Sequence, residues 1–216
     1  MSRLVLVVCL AAGCKDTGKP SAPKPEATKV EPAPAPTADA AATAEPAAPK
    51  QKLEGWELPT GWRSEVIPFP LDFAPTLAHT GYEELRFPKG FFDPASPEYW
   101  SYAFVWRTDD AAELDAKALG DEITLYFRGL IAAVDENKRI TARDQIVARA
   151  ERAKEPNRFN LTAHVFDAFK TAQPIDLTGW AERKACAKGA LWIFVLAPAK
   201  TSIRAQLDAV ASSAKC

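Results

Sequence analysis

The sequence predicts an α+β fold, in which an antiparallel sheet of about six to seven strands packs against two helices and is preceded by a disordered tether. Short apolar stretches with strand-like patterns occupy residues 61–107 and 145–198. A segment of helical periodicity follows each of these two groups. All 6 Trp, all 4 Tyr and all 11 Phe of the chain lie after residue 52, so the globular domain begins at about residue 53.

The first group contains three predicted strands. Residues 61–70 indicate an edge strand, because Pro68 and Pro70 cannot donate to a central hydrogen-bond ladder. Residues 82–88 indicate a second strand, and the proline-rich stretch 89–97 indicates a loop. The third strand, residues 99–107, alternates so that one face is heavily aromatic and carries Trp100, Tyr102, Phe104 and Trp106.

A helix is predicted directly after the third strand. Asp110 with Glu113 three positions later is the reciprocal capping arrangement that satisfies free amides of a first helical turn. Gly120 and Gly129 weaken this helix, and a close approach of the helix to the sheet explains their presence. Its apolar stripe consists of Leu119, Ile123, Phe127, Leu130 and Val134.

The second group predicts the remaining strands and a closing helix. Four strands are expected over residues 145–154, 159–169, 177–186 and 190–198. The last of them is apolar on both faces, which is typical of a central strand. Thr201 or Ser202 is expected to cap the closing helix, whose stripe is Ile203, Leu207, Val210 and Ala211.

The first 14 residues have the organisation of a signal peptide. Arg3 precedes an unbroken apolar run over residues 4–10, and small residues lead to Cys14. The run is too short for a permanent membrane helix, which needs about 20 apolar residues. The stretch LAAGC, residues 10–14, resembles the lipobox of bacterial lipoprotein precursors, with leucine one position earlier than usual. The alternative interpretation is an ordinary secretory signal or a fortuitous apolar start.

The lipobox resemblance implies that residues 1–13 are removed and that Cys14 becomes the lipid-bearing N-terminus. Two or three acyl chains hold a protein stably on a membrane, whereas one chain binds only marginally. Lys15 after the lipidated cysteine argues, by the same resemblance, against retention in the inner membrane. We therefore expect a lipid-anchored protein of the bacterial cell envelope, with the outer membrane favoured over the inner membrane.

Residues 15–52 are predicted to be a disordered spacer. Of these 38 residues 8 are Pro and 11 are Ala, and none is aromatic. Such a segment cannot bury enough apolar surface to offset the entropy cost of ordering it. The predicted organisation is therefore a signal peptide over 1–13, the lipidated Cys14 and tether over 14–52, and a single globular domain over 53–216.

Composition and motifs argue against several function classes. The formal net charge of −1 lacks the basic excess that is typical of nucleic-acid binding. His79 and His164 are the only histidines, and neither has a second histidine or a cysteine at ligand spacing, so no metal site is expected. No cofactor motif and no set of catalytic residues is recognised.

Two cysteines remain after the signal peptide and the lipidated residue are set aside. Cys186 and Cys216 are expected to form a disulfide, because an exported domain folds in an oxidising compartment. The bridge would join the closing helix to the strand before the last. A redox-active pair is the alternative, but the pair lacks Cys-x-x-Cys spacing.

Eight of the 20 residues from 87 to 106 are aromatic, and this cluster has two interpretations. In the first, the rings fill the core between the sheet and its neighbours. In the second, exposed rings beside a carboxylate bind a sugar or a protein. The candidate binding residues are Trp100, Tyr102, Trp106 and Asp93.

Residues 69–75 (FPLDFAP), 84–87 (ELRF), 91–94 (FFDP) and 99–104 (YWSYAF) are similar to segments of uncharacterised exported bacterial proteins. The leading expectation is a non-enzymatic envelope lipoprotein whose tethered domain binds another envelope component, a protein or a glycan. The alternative is a cell-envelope enzyme, such as a hydrolase that uses carboxylates.

Overall fold

The computed structural model describes residues 55–111 and 113–216. The predicted signal peptide, Cys14 and the tether lie outside the described residues. One seven-stranded antiparallel sheet with two helices confirms the predicted α+β fold. The elements are β1 (Arg63–Pro68), β2 (Gly81–Phe87), β3 (Tyr102–Thr108), α1 (Ala116–Val134), β4 (Val147–Arg152), β5 (Arg158–Phe166), β6 (Pro174–Ala185), β7 (Ala190–Pro198) and α2 (Arg204–Ser212), with a short 3-10 turn (Arg143–Gln145) before β4.

The strand order across the sheet is β1-β2-β3-β7-β6-β5-β4. The chain runs from one edge to the centre through β1, β2 and β3. It then crosses through α1 to the opposite edge and returns through β4, β5 and β6 to β7, which pairs with β3. As predicted, β7 is central, with Ala190 to Ala197 all buried, and the proline-containing β1 is an edge strand.

Each helix covers one face of the sheet. Alternate residues of a strand point to opposite faces. Phe194 accordingly packs in the core beneath α1, whereas Val195 packs in the core beneath α2. We call these two sides of the sheet the α1 face and the α2 face; the core of the α1 face is larger and contains most of the buried aromatic side chains.

The apolar stripe of α1 lies on the sheet as predicted, with Leu119, Ile123 and Phe127 fully buried. The predicted N-cap was wrong: α1 begins at Ala116, and the carboxylate of Asp115 accepts a hydrogen bond from the amide of Ala118 at 2.8 Å. The carboxylate of Asp110 contacts the imidazole of His79 instead.

The two glycines of α1 permit close contacts, but with different neighbours. A Cβ at Gly120 would lie 3.3 Å from the carbonyl oxygen of Ala148 in β4, so this glycine allows the predicted close approach to the sheet. A Cβ at Gly129 would lie 2.0 Å from the carbonyl oxygen of Phe73, which belongs to the loop between β1 and β2. The absence of a side chain at Gly129 therefore allows a loop, rather than the sheet, to pack against the helix.

The closing helix also starts differently from the prediction. Its N-cap is Ile203, with no side-chain capping bond. The predicted cap at Thr201 or Ser202 was wrong: the hydroxyl of Thr201 donates to the carbonyl of Pro97 at 3.1 Å, so this side chain fixes the loop before β3 instead of capping α2. The predicted stripe is correct, since Ile203, Leu207, Val210 and Ala211 are all buried.

Candidate functional site

The aromatic side chains around β3 are buried. Tyr102 and Trp106 lie on the α1 face of β3 and are 2% and 0% exposed. Trp100 is 0% exposed too, although it precedes the strand in a turn with φ of 54°. The core interpretation of these rings is confirmed, and the interpretation of Trp100, Tyr102 and Trp106 as an exposed binding surface was wrong.

Asp93 is not brought together with the three aromatic residues in one exposed site. It lies in an exposed loop, where its carboxylate accepts a hydrogen bond from the amide of Ala95 at 3.0 Å. The carboxylate that does bind Trp100 is Asp167, which accepts from the indole nitrogen at 3.2 Å. Burial alone would raise the pKa of Asp167, but hydrogen bonds, foremost from Thr171, lower it to about 2.

The same aromatic cluster encloses an apolar cavity on the α1 face. Its volume is about 240 Å³, and it lies between β1, β2 and the C-terminal half of α1. Its wall is formed by Glu65, Ile67, Phe73, Leu85, Phe87, Phe91, Phe92, Trp100, Tyr102, Tyr126, Leu130, Ala133, Val134 and Phe169. Thirteen of these fourteen residues are aromatic or aliphatic, so the cavity offers almost no hydrogen-bonding partner.

The cavity opens to the surface at one end. Glu65, Phe92 and Ala133 belong to its wall and are all exposed. Phe92, at 38% exposure, is one of three large apolar side chains exposed in the described part of the chain. The exposed part of the Phe92 ring therefore lies at the mouth of the cavity.

A buried carboxylate lies just behind the cavity wall. Glu83 of β2 is 0% exposed, and its Oε1 accepts a hydrogen bond from the indole of Trp106 at 3.1 Å. Its Oε2 makes no hydrogen bond to any residue that the structure describes. Burial raises the pKa of Glu83 to about 8, the neighbouring Trp106 and Tyr126 oppose this shift, and the charge of Glu65 adds to it. Glu83 is therefore mainly neutral at pH 7.

The ionisation of three further groups beside the cavity is also shifted. Burial raises the pKa of the Tyr102 and Tyr126 hydroxyls well above the ordinary value, so both stay neutral. Partial burial of its carboxyl group raises the pKa of Glu65 at the mouth as well. The interior of this site therefore carries no fixed charge near pH 7.

His79 forms a separate cluster on the α1 face. Its Nδ1 lies 3.1 Å from a carboxylate oxygen of Asp110, and its Nε2 lies 3.0 Å from one of Glu122. The hydrogen bond with Glu122 is the largest of the effects that raise the pKa of His79, and burial opposes them. Both ring nitrogens are occupied by carboxylates, so His79 fastens the loop before β2 to α1.

The α2 face carries a buried ion cluster. Oε1 and Oε2 of Glu84 accept hydrogen bonds from Arg107 at 2.9 Å and from Arg86 at 3.2 Å, and the indole of Trp56 donates to Oε2 at 2.8 Å. The guanidinium of Arg86 also lies 4.2 Å from the centre of the Trp56 ring. This cluster attaches the start of the described domain to the sheet.

The predicted disulfide between Cys186 and Cys216 is present, with Cα atoms 5.5 Å apart. It joins the segment after β6 to the C-terminal residue. Neither helix in the described part of the chain is both long enough and apolar enough to cross a membrane. No group of three or more His, Cys, Asp or Glu within the described residues could hold a metal ion.

Sequence reasoning identified the aromatic residues of this site but not the cavity. The wall draws on segments as distant as Glu65 and Phe169, and only their folded arrangement leaves the space open. Comparisons of the chain with family models, with curated proteins and with solved structures find no match.

Proposed function

We propose that the protein is a lipid-anchored envelope lipoprotein whose tethered domain binds another envelope component without chemical conversion. The domain would do so by enclosing an apolar part of that component in the cavity of the α1 face. The observation that carries this proposal is an apolar cavity, walled by aromatic rings, that opens at the surface. The lipobox-like residues 10–14 and the disulfide between Cys186 and Cys216 support export to an oxidising compartment.

The size and polarity of the cavity favour a hydrocarbon chain as the bound group. Sites for whole drug-sized ligands usually measure about 300–1,000 Å³. A cavity of about 240 Å³ fits only part of such a molecule. Apolar cavities stay dry and bind apolar groups, because water finds no partners there. The ligand would therefore be an amphiphile that inserts an acyl chain and leaves its polar head outside.

The mouth of the cavity offers polar contacts to that head group. Glu65 lies there, and the guanidinium of Arg63 lies 5.9 Å from the centre of the Phe92 ring. Both side chains are on β1, the edge strand, and both are exposed. A head group outside the cavity would meet these charges, while its chain would contact Phe87 and Tyr102.

An envelope hydrolase using two carboxylates is less well supported by this geometry. Glu65 reaches the cavity, and Glu83 is its diagonal neighbour on β2, since Glu65 pairs with Leu85. The charge of Glu65 also contributes to the raised pKa of Glu83. However, Glu83 has no exposed surface, so a ligand in the cavity would meet apolar side chains and not this group. Binding therefore explains the arrangement better than acid–base chemistry.

The binding proposal can be tested by closing the mouth of the cavity. Ala133→Trp places a large side chain at an exposed wall position, and Ala132→Trp is the matched control at the neighbouring exposed position outside the wall. The secreted, unlipidated chain would be titrated with a dansyl-labelled C11 fatty acid, with lauric acid as competitor. We expect saturable binding that Ala133→Trp weakens at least tenfold and Ala132→Trp leaves unchanged. Equal binding by the two variants, or none by the parent chain, would contradict the proposal.

The anchor is tested separately. Cys14→Ser should abolish incorporation of a clickable fatty acid in cells and leave the signal peptide uncleaved. Normal labelling of this variant would contradict the lipoprotein assignment without affecting the cavity experiment.

A further inference from the structure

The two edges of the sheet differ in how their free backbone groups are covered. β1 forms one edge, and β4 forms the other. At the β4 edge, the hydroxyl of Thr124 in α1 accepts a hydrogen bond from the amide of Ala148 at 2.8 Å. The guanidinium of Arg128, also in α1, donates to the carbonyl of Ile146 at 3.1 Å. Proteins cover edge strands in this way because an open edge pairs with other chains, so α1 closes the β4 edge.

The β1 edge has no such cover. The amide of Phe69, just after β1, donates to the carbonyl of Gly81 at 3.0 Å. Because every second residue of an antiparallel strand bonds to the same neighbour, Ser64 and Val66 direct their backbone groups away from β2. No hydrogen bond joins these groups to any residue that the structure describes. Pro68 has no amide, so it ends the open edge.

The charges of β1 suit a second copy of the same strand. Arg63 and Glu65 flank Ser64, and both are exposed. If two copies of β1 pair antiparallel about a two-fold axis at Ser64, Arg63 of each copy lies directly opposite Glu65 of the other. Residues paired in this position have no backbone hydrogen bonds between them, and their side chains are at their closest. Opposite charges in such a pair are stabilising.

The neighbouring registers lack this match. An axis at Glu65 would place two carboxylates directly opposite each other, which is unfavourable. An axis at Val66 would place Glu65 opposite Ile67. The arrangement of charges on β1 therefore selects the register in which Ser64 faces Ser64.

The backbone can form hydrogen bonds in this register. The two Ser64 residues exchange both of their bonds across the axis, and the amide of Val66 meets the carbonyl of Trp62 of the other copy. The amide of Trp62 itself is already bound to the carbonyl of Pro59 at 3.0 Å. Trp62 and Val66 are both half-buried on the α2 face, and the pairing would cover them further.

We infer that two copies of this chain associate through β1, with Ser64 at a two-fold axis and Arg63 of each copy paired with Glu65 of the other. Because α1 covers the β4 edge of each copy, the association closes at two copies and does not extend into a fibre. A single pair of strands buries little surface, so the dimer is weak in dilute solution. The inference depends neither on the cavity nor on the lipid anchor.

Cysteine cross-linking of the full-length protein, purified in a mild detergent, tests the pairing and its register. Ser64→Cys puts two thiols at the axis, where the Cα atoms of a hydrogen-bonded pair lie about 5.5 Å apart, within disulfide range. Glu65→Cys and Val66→Cys do so only in the two neighbouring registers. Ser202→Cys, at an exposed position outside β1, is the matched control for random collisions. Non-reducing gels would follow dimer formation during oxidation by copper phenanthroline.

We expect Ser64→Cys to form covalent dimers at least tenfold faster than Ser202→Cys. It should also react faster than Glu65→Cys and Val66→Cys. Equal rates for Ser64→Cys and Ser202→Cys would overturn the inference, and so would fastest cross-linking at residue 65 or 66.

A charge exchange tests the pairing of Arg63 with Glu65. In the Ser64→Cys chain, either Arg63→Glu or Glu65→Arg alone places like charges opposite each other and should slow cross-linking at least fivefold. The two substitutions together restore opposite charges and should return the rate to within twofold of that of Ser64→Cys. No recovery in the combined variant would overturn the inference. If a charge variant fails to fold, the four cysteine positions decide the result alone.

Discussion

Glu83 and Glu84 are neighbours on one strand, yet they lie in opposite environments. Glu83 points to the α1 face, where one oxygen accepts from an indole and the other has no hydrogen-bond partner among the described residues. Glu84 points to the α2 face and is bound by two guanidinium groups and an indole. Both are at most 1% exposed. Burial alone therefore does not decide whether a carboxylate is charged; the partners on its face of the sheet do.

The largest expected effect follows from removing the paired carboxylate. Glu84→Gln leaves the fully buried Arg86 without its anion, and breaking a buried pair in this way costs about 3–5 kcal/mol of unfolding free energy. Urea unfolding at pH 7 measures it. Glu83→Gln at the same pH is the matched control and should cost much less, so equal losses in the two variants would break the comparison.

Removal of the disulfide should cause the next largest loss of unfolding free energy. Cys186→Ser opens a link across 30 residues of sequence, and the loop-entropy relation gives roughly 3–4 kcal/mol. The unfolding midpoint of the variant should fall by as much as that of the parent chain after reduction, with no further loss when the variant is reduced. Two free thiols in the denatured, non-reduced domain would show that the bridge does not form.

The difference between the two glutamates can also be tested by the pH dependence of the unfolding free energy, to which Glu83 contributes. A carboxyl whose pKa is raised from 4.5 to about 8 holds its proton in the folded state after the unfolded chain has lost it. Stability should therefore fall as the pH rises from about 4.5 to about 8, by up to a few kcal/mol, because a tenfold change in proton concentration corresponds to about 1.4 kcal/mol. Unfolding curves across this range should show a flatter decline in Glu83→Gln. An identical decline in variant and parent would refute the neutral state of Glu83.

The smallest expected effect concerns His79. Because its pKa is raised, the stability it adds is fully present below pH 6.5 and is lost as the pH rises through the folded-state pKa above that value. His79→Gln should cost about 1.5–3 kcal/mol at pH 5.5, the usual contribution of a hydrogen bond to a charged group, and less at pH 9. Chemical unfolding at the two pH values tests this, and a loss that grew with pH would contradict it.

Much of the fold could be predicted because its signals are local. Pro68 of β1 marks an edge, and the two apolar faces of β7 mark the centre of the sheet. Capping was harder: the spacing of Asp110 and Glu113 matches a capping box, but the N-cap is Asp115 and the carboxylate of Asp110 contacts His79, 31 residues earlier in the chain.

The candidate sites depended still more on distant contacts. The alternating pattern predicted that the third strand begins at residue 99, but it begins at Tyr102, and Trp100 turns away to bind Asp167, 67 residues later. The sequence Glu83-Glu84 does not indicate which of the two carboxylates forms ion pairs with the arginines. The disulfide was predictable because only two cysteines remained to be paired. A single possible pairing can be predicted without knowing the geometry.

The two ends of the described domain meet beside the ion cluster of the α2 face. The amide of Lys215 donates to the carbonyl of Gly55 at 3.0 Å, and Arg107 donates to the carbonyl of Lys215 at 2.7 Å. Cys216, the next residue, is covalently tied to Cys186. A pulling force applied to the chain ahead of Gly55 is therefore shared with the C-terminus and passed to the sheet through a covalent bond. In mechanical terms, such a force would first load the hydrogen bond between Gly55 and Lys215, one residue from the covalent link of Cys216 to Cys186.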